Sequence, residues 1–483
     1  MSDFRRSLSI LKENNDLREI DEEFSTEIEI TSLANNYQRN NGPALLFNNP
    51  SGFSNKVAIG LFGTYSRLEN VLERKITEIT EDFTGLFEAL YSKPGLMDGL
   101  KLFSKLKNFS VSEVGNGPAK ERYGDITLDD IPVLKSWPKD GGRFITAPVV
   151  ITRDPENGAY NAGTYRMQVY DSETTGMHWQ TQKTGAMHLM KAKKMGKNLD
   201  VAVAIGVHPA VLFSSVSPLP DGIDEMAFAG YLTGDRIDTV RGETVDLRYP
   251  SDAEIILEGY VDPDETREEG PFGDHTGYYT PVDLYPVFHV KRIYHRKDFI
   301  YHSILVGKYW NEDVPIGRAI ERIFLPVIKF QIPEIKDIFL PEEGLFNDVL
   351  FVSIKKRYPG QGRKVGMAML SSGQMMFTKY VIVVDEDIDV TDRKEVMWAV
   401  ATRTDPARDI EIIKMAPTDS LDHSSNYPDV GGKMIIDATV KKINEGARRE
   451  WPERIEAEET EILKEKMKKY VLQFERDSKV HKD

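Results

Sequence analysis

The chain of 483 residues contains no cysteine, which excludes disulfides, thiolate nucleophiles and cysteine-ligated zinc or iron–sulfur centres and leaves oxygen and nitrogen to hold any metal. Its 40% hydrophobic and 29% charged residues are those of an ordinary globular protein, and a formal charge of −15 without a concentrated basic stretch argues against nucleic-acid backbone binding. No stretch approaches the roughly 18 uninterrupted apolar residues of a membrane span, and the opening "MSDFRRSLSILKENNDLREIDEEF" has charges where a secretory signal needs an apolar run. The expectation is a cytoplasmic protein with no membrane span.

Residues 1–120 mix helical patterns, as in "YSRLENVLERKITEITEDFTGLFEALY", with short apolar runs such as "PALLF" and "VAIGLFG", an α/β opening. From 121 to 310 the pattern becomes short β-rich runs punctuated by Gly, Pro and Asp: "FITAPVVIT", "YRMQVY", "VAVAIGVHP", "AEIILEGYV", "YPVFHVKRIY". Such spacing predicts a barrel or a sandwich, and within it "GAMHLMKAKKMG" fits a helix stopped by Gly196. A helical stretch, "WNEDVPIGRAIERIFLPVIKFQIP", opens a second alternating region over 311–450, which contains "DVLFVSIKKR", "YVIVVDEDID" and "RKEVMWAVATR". The charged tail, 451–483, spaces Ile455, Ile462, Leu463, Met467, Tyr470, Val471 and Phe474 close to helical period and predicts a docking helix.

The phosphate loop G-x-x-x-x-G-K-[ST], the metal helix H-E-x-x-H and the nucleophile elbow G-x-S-x-G are absent. Three turn-rich segments carry the remaining chemistry. "YNAGTYRMQV" (160–169) offers Asn161, a small-residue stretch open to a ligand, and Arg166 entering a strand. "SSVSPLPDGIDEMAFAG" (214–230) sets Glu225 beside apolar residues, where a helix-surface acid is the plain reading. "EEGPFGDHTGYYTP" (268–281) brackets "GPFG" with Glu269 and Asp274, so a tight turn can bring both carboxylates to one centre. Two acids raise one another's pKa and an arginine between them lowers both, an arrangement able to keep one acid near neutrality for proton transfer. Tyr278, Tyr279 and His275 read as packing or structural residues.

The ordered set "NAGTYR", "PLPDGIDEMAFAG", "EGPFGDHTGYY" and "TRTDPARD", spread over about 130–440, resembles the UbiD family of reversible prenylated-flavin-dependent decarboxylases. The resemblance implies a mixed α/β (α+β) fold: an N-terminal α/β segment (1–120), a central split β-barrel that binds prenylated FMN (121–310), a C-terminal α/β oligomerisation domain (311–450) and a terminal helix (451–483). It implies a divalent metal, Mn²⁺ or Mg²⁺, joining protein to the cofactor phosphate, with K⁺ nearby. Asn161 and Glu225 fall on metal-ligand positions, and Gln182 falls where much of the family has histidine, with His178 and His188 close in sequence. The acid/base triad maps to Arg166, Glu269 and Asp274, with Glu269 as proton donor. Cofactor contacts map to Thr164, Tyr165 and Arg166, to the wall Ser215, Val216, Ser217 and Pro218, and to Lys379 at the phosphate; Leu421 maps to a group closing over the substrate. The implied reaction is non-oxidative decarboxylation of an aromatic or α,β-unsaturated carboxylic acid in quinone or isoprenoid biosynthesis, by a homo-oligomer (dimer or hexamer) that receives its cofactor from a flavin prenyltransferase. The alternative is a non-catalytic flavin- or metal-binding subunit of a larger assembly, a reading that Gln182 keeps open.

Overall fold

The computed structural model describes residues 3–91, 108–308, 311–427 and 429–455, together with 463, 465–468 and 470. Two compact units result, Met1–Thr439 and Val440–Asp483. In the second, a short 3₁₀ turn spans Ile443–Glu445. Of the expected terminal helix, Leu463, Glu465 to Lys468 and Tyr470 are helical, whereas Ile462, Val471 and Phe474 lie outside the described residues. No helix among the described residues is long and apolar enough to cross a membrane.

The first unit opens with a four-stranded sheet in the order Leu17–Ile20, Ala44–Phe47, Lys56–Ile59 and Ile300–Ser303. Its last strand comes from far along the chain and pairs in parallel with Lys56–Ile59. The helical pattern over 65–91 becomes two helices, Tyr65–Val71 and Ile76–Tyr91, parted at Glu73, whose φ of +53° lies in the left-handed region.

The β-rich region forms a curled antiparallel sheet in the order Thr174–Gly176, Asp283–His295, Ile255–Glu269, Leu199–Ile205, Val149–Arg153 and Tyr160–Gly163, with Arg122–Tyr123 beside Asp283–His295. "VVITR" and "LDVAVAI" make central strands because their β-branched and apolar side chains are buried on both faces. Ile255–Glu269 is different: its first half is buried, its later residues alternate towards solvent, and Glu269 at its end is buried again. The 15-residue strand thus reaches beyond the core to deliver one carboxylate. The helix Thr184–Lys194 ends before Gly196, whose φ is +64°.

The C-terminal sheet has the order Ile335–Phe339, Val349–Ile354, Tyr380–Asp385, Val430–Asp437 and Ile410–Pro417. Its three inner strands are parallel and its two edges antiparallel. "RKEVMWAVATR" is the helix Arg393–Arg403: Asp392 caps it by accepting the Lys394 N–H at 2.8 Å, and it buries Val396, Ala399 and Arg403, one helical face. The helix Asp313–Gln331 joins the two sheet systems. Its Ile316, Ala319 and Ile323 enter the core shared by the N-terminal and central regions, and its Leu325 enters that of the C-terminal sheet.

Candidate active site

The loop after Ile255–Glu269 turns at Gly270, φ +105°, whose N–H is held by Gln168 Oε1 at 2.7 Å. Gly141 lies against it so closely that an added Cβ would sit 2.0 Å from the Gly270 carbonyl oxygen. Phe272–Gly273 then pairs with Tyr279–Thr280, and the intervening turn is closed by Asp274 N–H to Tyr278 O at 3.1 Å and Gly277 N–H to Asp274 O at 2.9 Å. Asp140 fixes the hairpin from below by accepting the Gly273 N–H at 2.8 Å. In consequence Glu269 and Asp274 turn towards one group, Arg166.

Arg166 Nε donates to Glu269 Oε1 at 3.0 Å, Nη1 donates to Asp274 Oδ2, and Nη2 reaches Thr280 Oγ1 at 3.2 Å. The guanidinium also stands over the Phe272 ring at 4.6 Å. The three triad residues of the sequence reading are therefore together. Glu269 is 1% exposed and Asp274 5%, so two buried carboxylates share one partly buried cation, and each has an imidazole besides. His178 Nδ1 lies 2.8 Å from Glu269 Oε1, with its ring 4.3 Å from that of Tyr285. His275 Nδ1 lies 3.0 Å from Asp274 Oδ1, an oxygen that also accepts the His275 backbone N–H at 2.7 Å.

Burial pushes the Glu269 carboxyl up, but the bond and charge of His178 and the charge of Arg166 outweigh it, and the net shift is downward. Burial opposes ionisation of Asp274 as well. There the Arg166 charge and the His275 bonds win by more, and its carboxyl is held well below the usual range. Both acids are ionised near neutrality, so the triad does not keep one of them near its midpoint. Burial also works against a charged His275, yet Asp274, with Asp313 and Asp419 further off, raises it to about 9.

A cavity of about 590 Å³ opens beside this network. Thr164, Val216, Pro218, Lys183, Asp313 and His275 line it, the last bonded to the triad's Asp274; its remaining wall is largely apolar. Ser215 and Ser217 sit behind that surface: Ser215 Oγ bonds to Leu212 O at 2.7 Å and meets Thr164 Oγ1 at 2.7 Å, and Ser217 Oγ bonds to Phe213 O at 2.9 Å. Leu421 is partly buried, its N–H bonded at 3.0 Å to Asp419, which does line the cavity. Lys379 is held elsewhere, with Nζ 3.0 Å from Asp422 Oδ1 and 2.7 Å from Ser424 Oγ, on a second, smaller cavity of about 370 Å³.

Of the three metal-ligand positions, two converge. Glu225, the first residue of the helix Glu225–Thr233, accepts the Ala162 N–H at 2.8 Å, one residue from Asn161. Burial pushes its carboxyl up to about 7, and the Asn161 amide nitrogen is buried without a partner. Burial drives Tyr165 up to about 12 against the opposing effect of the Asn161 side chain, and the Glu225 charge adds to the rise. A buried acid that lacks counter-charge, beside an asparagine whose amide oxygen is a hard donor, fits a hard divalent cation held by oxygen. Gln182 instead bonds to Gln180 Oε1 at 3.1 Å, and Gln180 reaches Ser420 Oγ at 2.6 Å. His188 is bonded to Thr152 Oγ1 at 2.9 Å. The described residues contain no cluster of three His, Asp or Glu side chains set to hold a metal.

Sequence reading missed the pairing of His178 with Glu269. The signal was present in the turn: Tyr170 N–H bonds to Thr174 O at 3.0 Å and Val169 bridges Thr175, and continuing that antiparallel register sets residue 178 opposite residue 166. The His178 N–H indeed bonds to Arg166 O at 3.2 Å. Lys183 was missed as well, a cation one residue from Gln182 that faces the cavity.

Comparison with known proteins agrees with this architecture. The chain matches the N-terminal, Rift-related and C-terminal domains of 3-octaprenyl-4-hydroxybenzoate carboxy-lyase over residues 8–86, 111–309 and 315–438. It is 50% identical over 460 residues to an uncharacterized protein of Archaeoglobus fulgidus, covering 94% of this chain and 95% of that one. It is also 46% identical over 454 residues to an uncharacterized protein of Aquifex aeolicus, with 92% and 93% covered. Among solved structures, vanillic acid decarboxylase of Sedimentibacter hydroxybenzoicus in closed form superposes with a TM-score of 0.85 at 28% identity, covering 98% of this chain and 99% of that one. The UbiD-class enzyme HmfF of Pelotomaculum thermopropionicum, in complex with FMN, gives 0.79 at 29% identity, covering 95% and 98%.

Proposed function

Since the chain belongs to the UbiD family of carboxy-lyases, we propose that it is a prenylated-FMN-dependent decarboxylase of an aromatic carboxylic acid. The observation that carries this reading is the pair of buried carboxylates on Arg166, bordered by His275 at the wall of the large cavity. Loss of CO₂ from an aryl carbon leaves charge that no side chain can accept; prenylated FMN supplies that electron sink when bound. Asn161 and Glu225 would hold the divalent cation associated with the cofactor, and Thr164, Val216 and Pro218 would form its wall. The role of this chain's residues is to orient the acid, exclude water and return a proton to the carbon that lost CO₂.

Arg166 fixes the geometry of both carboxylates and, being a guanidinium, neither gives nor takes the proton. The two acids differ in their surroundings. Glu269 lies deeper, its Oε2 buried and without a partner, and its imidazole, His178, has a buried Nε2 that also lacks one. Asp274 is the acid next to the cavity-lining His275. That contrast favours Asp274 as the donor and Glu269, expected in that role from the sequence, as the group that fixes Arg166. The apolar wall formed by Ile316, Ile320, Phe324 and Val327 suits an aromatic ring with an apolar substituent, as in quinone biosynthesis, better than a phosphorylated acid. Lys183 and His275 are the cationic residues among those that line it. A homo-oligomer supplied by a flavin prenyltransferase completes the reading.

The test is reconstitution with prenylated FMN and Mn²⁺, followed by CO₂ release and solvent-deuterium exchange on 4-hydroxybenzoate, its 3-prenylated derivative and vanillate. Asp274→Asn should abolish both signals while the cofactor is retained. Glu269→Gln should lower them by about 100-fold, the low end for a general acid–base arrangement. A loaded wild-type protein inert towards every acid would overturn the assignment.

A further inference from the structure

The two carboxylates at Arg166 are ionised, so whichever one protonates the product must first receive a proton. Three polar groups border them. Arg166 cannot pass a proton on, because a guanidinium does not deprotonate in a protein. His178 is bonded through Nδ1 to Glu269, and its Nε2 is buried with no partner, so it has no contact with solvent. His275 differs: Nδ1 is on Asp274 at 3.0 Å, the ring forms part of the cavity wall, and no protein group among the described residues bonds to Nε2. We propose that His275 is the proton port of this site, a relay residue that carries a proton between the cavity and Asp274.

The charges facing His275 suit that task. Asp274 comes from its own loop, Asp313 from the start of the helix Asp313–Gln331, and Asp348 and Asp419 from the C-terminal region. The ring tilted against it, Phe346 at 5.5 Å, is neutral. Arg166, bonded to the other oxygen of Asp274, and Lys183, on the same cavity, are the cations that oppose them. Four acids against two cations favour the imidazolium, consistent with its rise to about 9.

With the decarboxylase reading as its premise, the His275 imidazolium first passes its Nδ1 hydrogen to Asp274 Oδ1, which leaves a neutral ring with hydrogen on Nε2. The bond from carbon to CO₂ breaks, and Asp274 gives that hydrogen to the carbon and is ionised again. When product leaves, solvent in the cavity returns one proton to the ring. The net change is one solvent proton taken up for each CO₂ released.

The experiment uses the full-length holoenzyme and His275→Ala. The expected kcat is lower by about 100-fold or more, the low end for a positioned acid–base group, with KM within a few-fold of wild type. Exogenous imidazole should restore part of kcat, and the alkaline limb of the wild-type kcat profile should be lost in the variant. A purely structural role would show neither effect. Histidine-selective NMR of the cofactor-free protein, with His275→Gln to assign the signal among nine histidines, reads the charge independently of turnover. An imidazolium persisting above pH 8 supports the relay. A titration at the ordinary value of about 6.5, or His275→Ala with an unchanged profile and no imidazole rescue, overturns the relay alone. A loaded wild type that decarboxylates nothing overturns the decarboxylase reading and the relay with it.

Discussion

Replacing Arg166 by Met removes the one cation shared by Glu269 and Asp274 while keeping an apolar stem over Phe272. Both acids are nearly inaccessible, 1% and 5% exposed, and stranding a buried charge costs about 3–5 kcal/mol. Because each keeps an imidazole, the lower end, about 3 kcal/mol, applies. At about 2.1 cal/mol/K per residue, the 439 residues of Met1–Thr439 lose on the order of 1 °C of Tm per kcal/mol, so the variant should melt about 3 °C lower at pH 7.5. The pH dependence is the sharper part. In the wild type both folded carboxyls are depressed, so their contribution is present above the unfolded value of about 4 and is lost as pH falls through the folded values. Without the guanidinium, burial, the largest influence on each, raises them; the penalty is then full at neutral pH and is relieved as pH falls through the raised values. Differential scanning calorimetry of the two proteins from pH 7.5 to 5 should therefore show the gap in Tm closing. A gap that stays constant would mean that Arg166 acts by packing on Phe272 and not as a counter-charge, and the electrostatic account of the site would fall.

Gly141→Ala should destabilise by about 1–3 kcal/mol, the usual cost of overpacking, because its Cβ would meet the Gly270 carbonyl at 2.0 Å. It should also cost turnover by shifting the loop that holds Glu269 and Asp274. Gly85→Ala, in a helix with nothing within 4 Å of the added carbon, is the control and should be neutral or stabilising by up to about 1 kcal/mol in a thermal melt. Ile320→Trp, on the apolar wall of the cavity, should raise KM for a prenylated hydroxybenzoate at least tenfold while changing that for 4-hydroxybenzoate less than threefold; equal effects on the two acids would remove the apolar wall from the account of the substrate.

What the sequence made legible was whatever local chemistry determines. The strands "VVITR" and "LDVAVAI" follow from β-branched runs, and the helix Thr184–Lys194 from its period and the glycine beyond it. The convergence of Arg166, Glu269 and Asp274 was readable because both acids sit on one short hairpin and needed only one long-range partner. Where register or distant contacts decide, sequence was a weaker guide. "RKEVMWAVATR" holds an unbroken apolar run, VMWAVA, that marks no face by itself, and the Asp392 cap with a buried Val396–Ala399–Arg403 face decides for a helix. Nothing local to Ile300–Ser303 says that it completes a sheet begun at Leu17. From its neighbours alone Glu225 has the plain reading of a surface acid, and only the family resemblance set it at a metal, because composition does not show what covers a helix start and its burial beside Asn161 is a tertiary fact.

The same distinction separates the two histidines of the site. His178 stands between Met177 and Trp179 and His275 between Asp274 and Thr276, and composition assigns neither a task. Their difference is one of access: each gives Nδ1 to a carboxylate of the same pair, but the second nitrogen of His178 is sealed, whereas the His275 ring lines the cavity. An imidazole that cannot exchange with solvent can fix a carboxylate but not recharge it. Access therefore divides a symmetric-looking cluster into a holding half, His178 with Glu269, and a delivering half, His275 with Asp274. That division requires Asp274→Asn to be more damaging to solvent-proton exchange than Glu269→Gln, and the reverse order would reverse the assignment of the two halves.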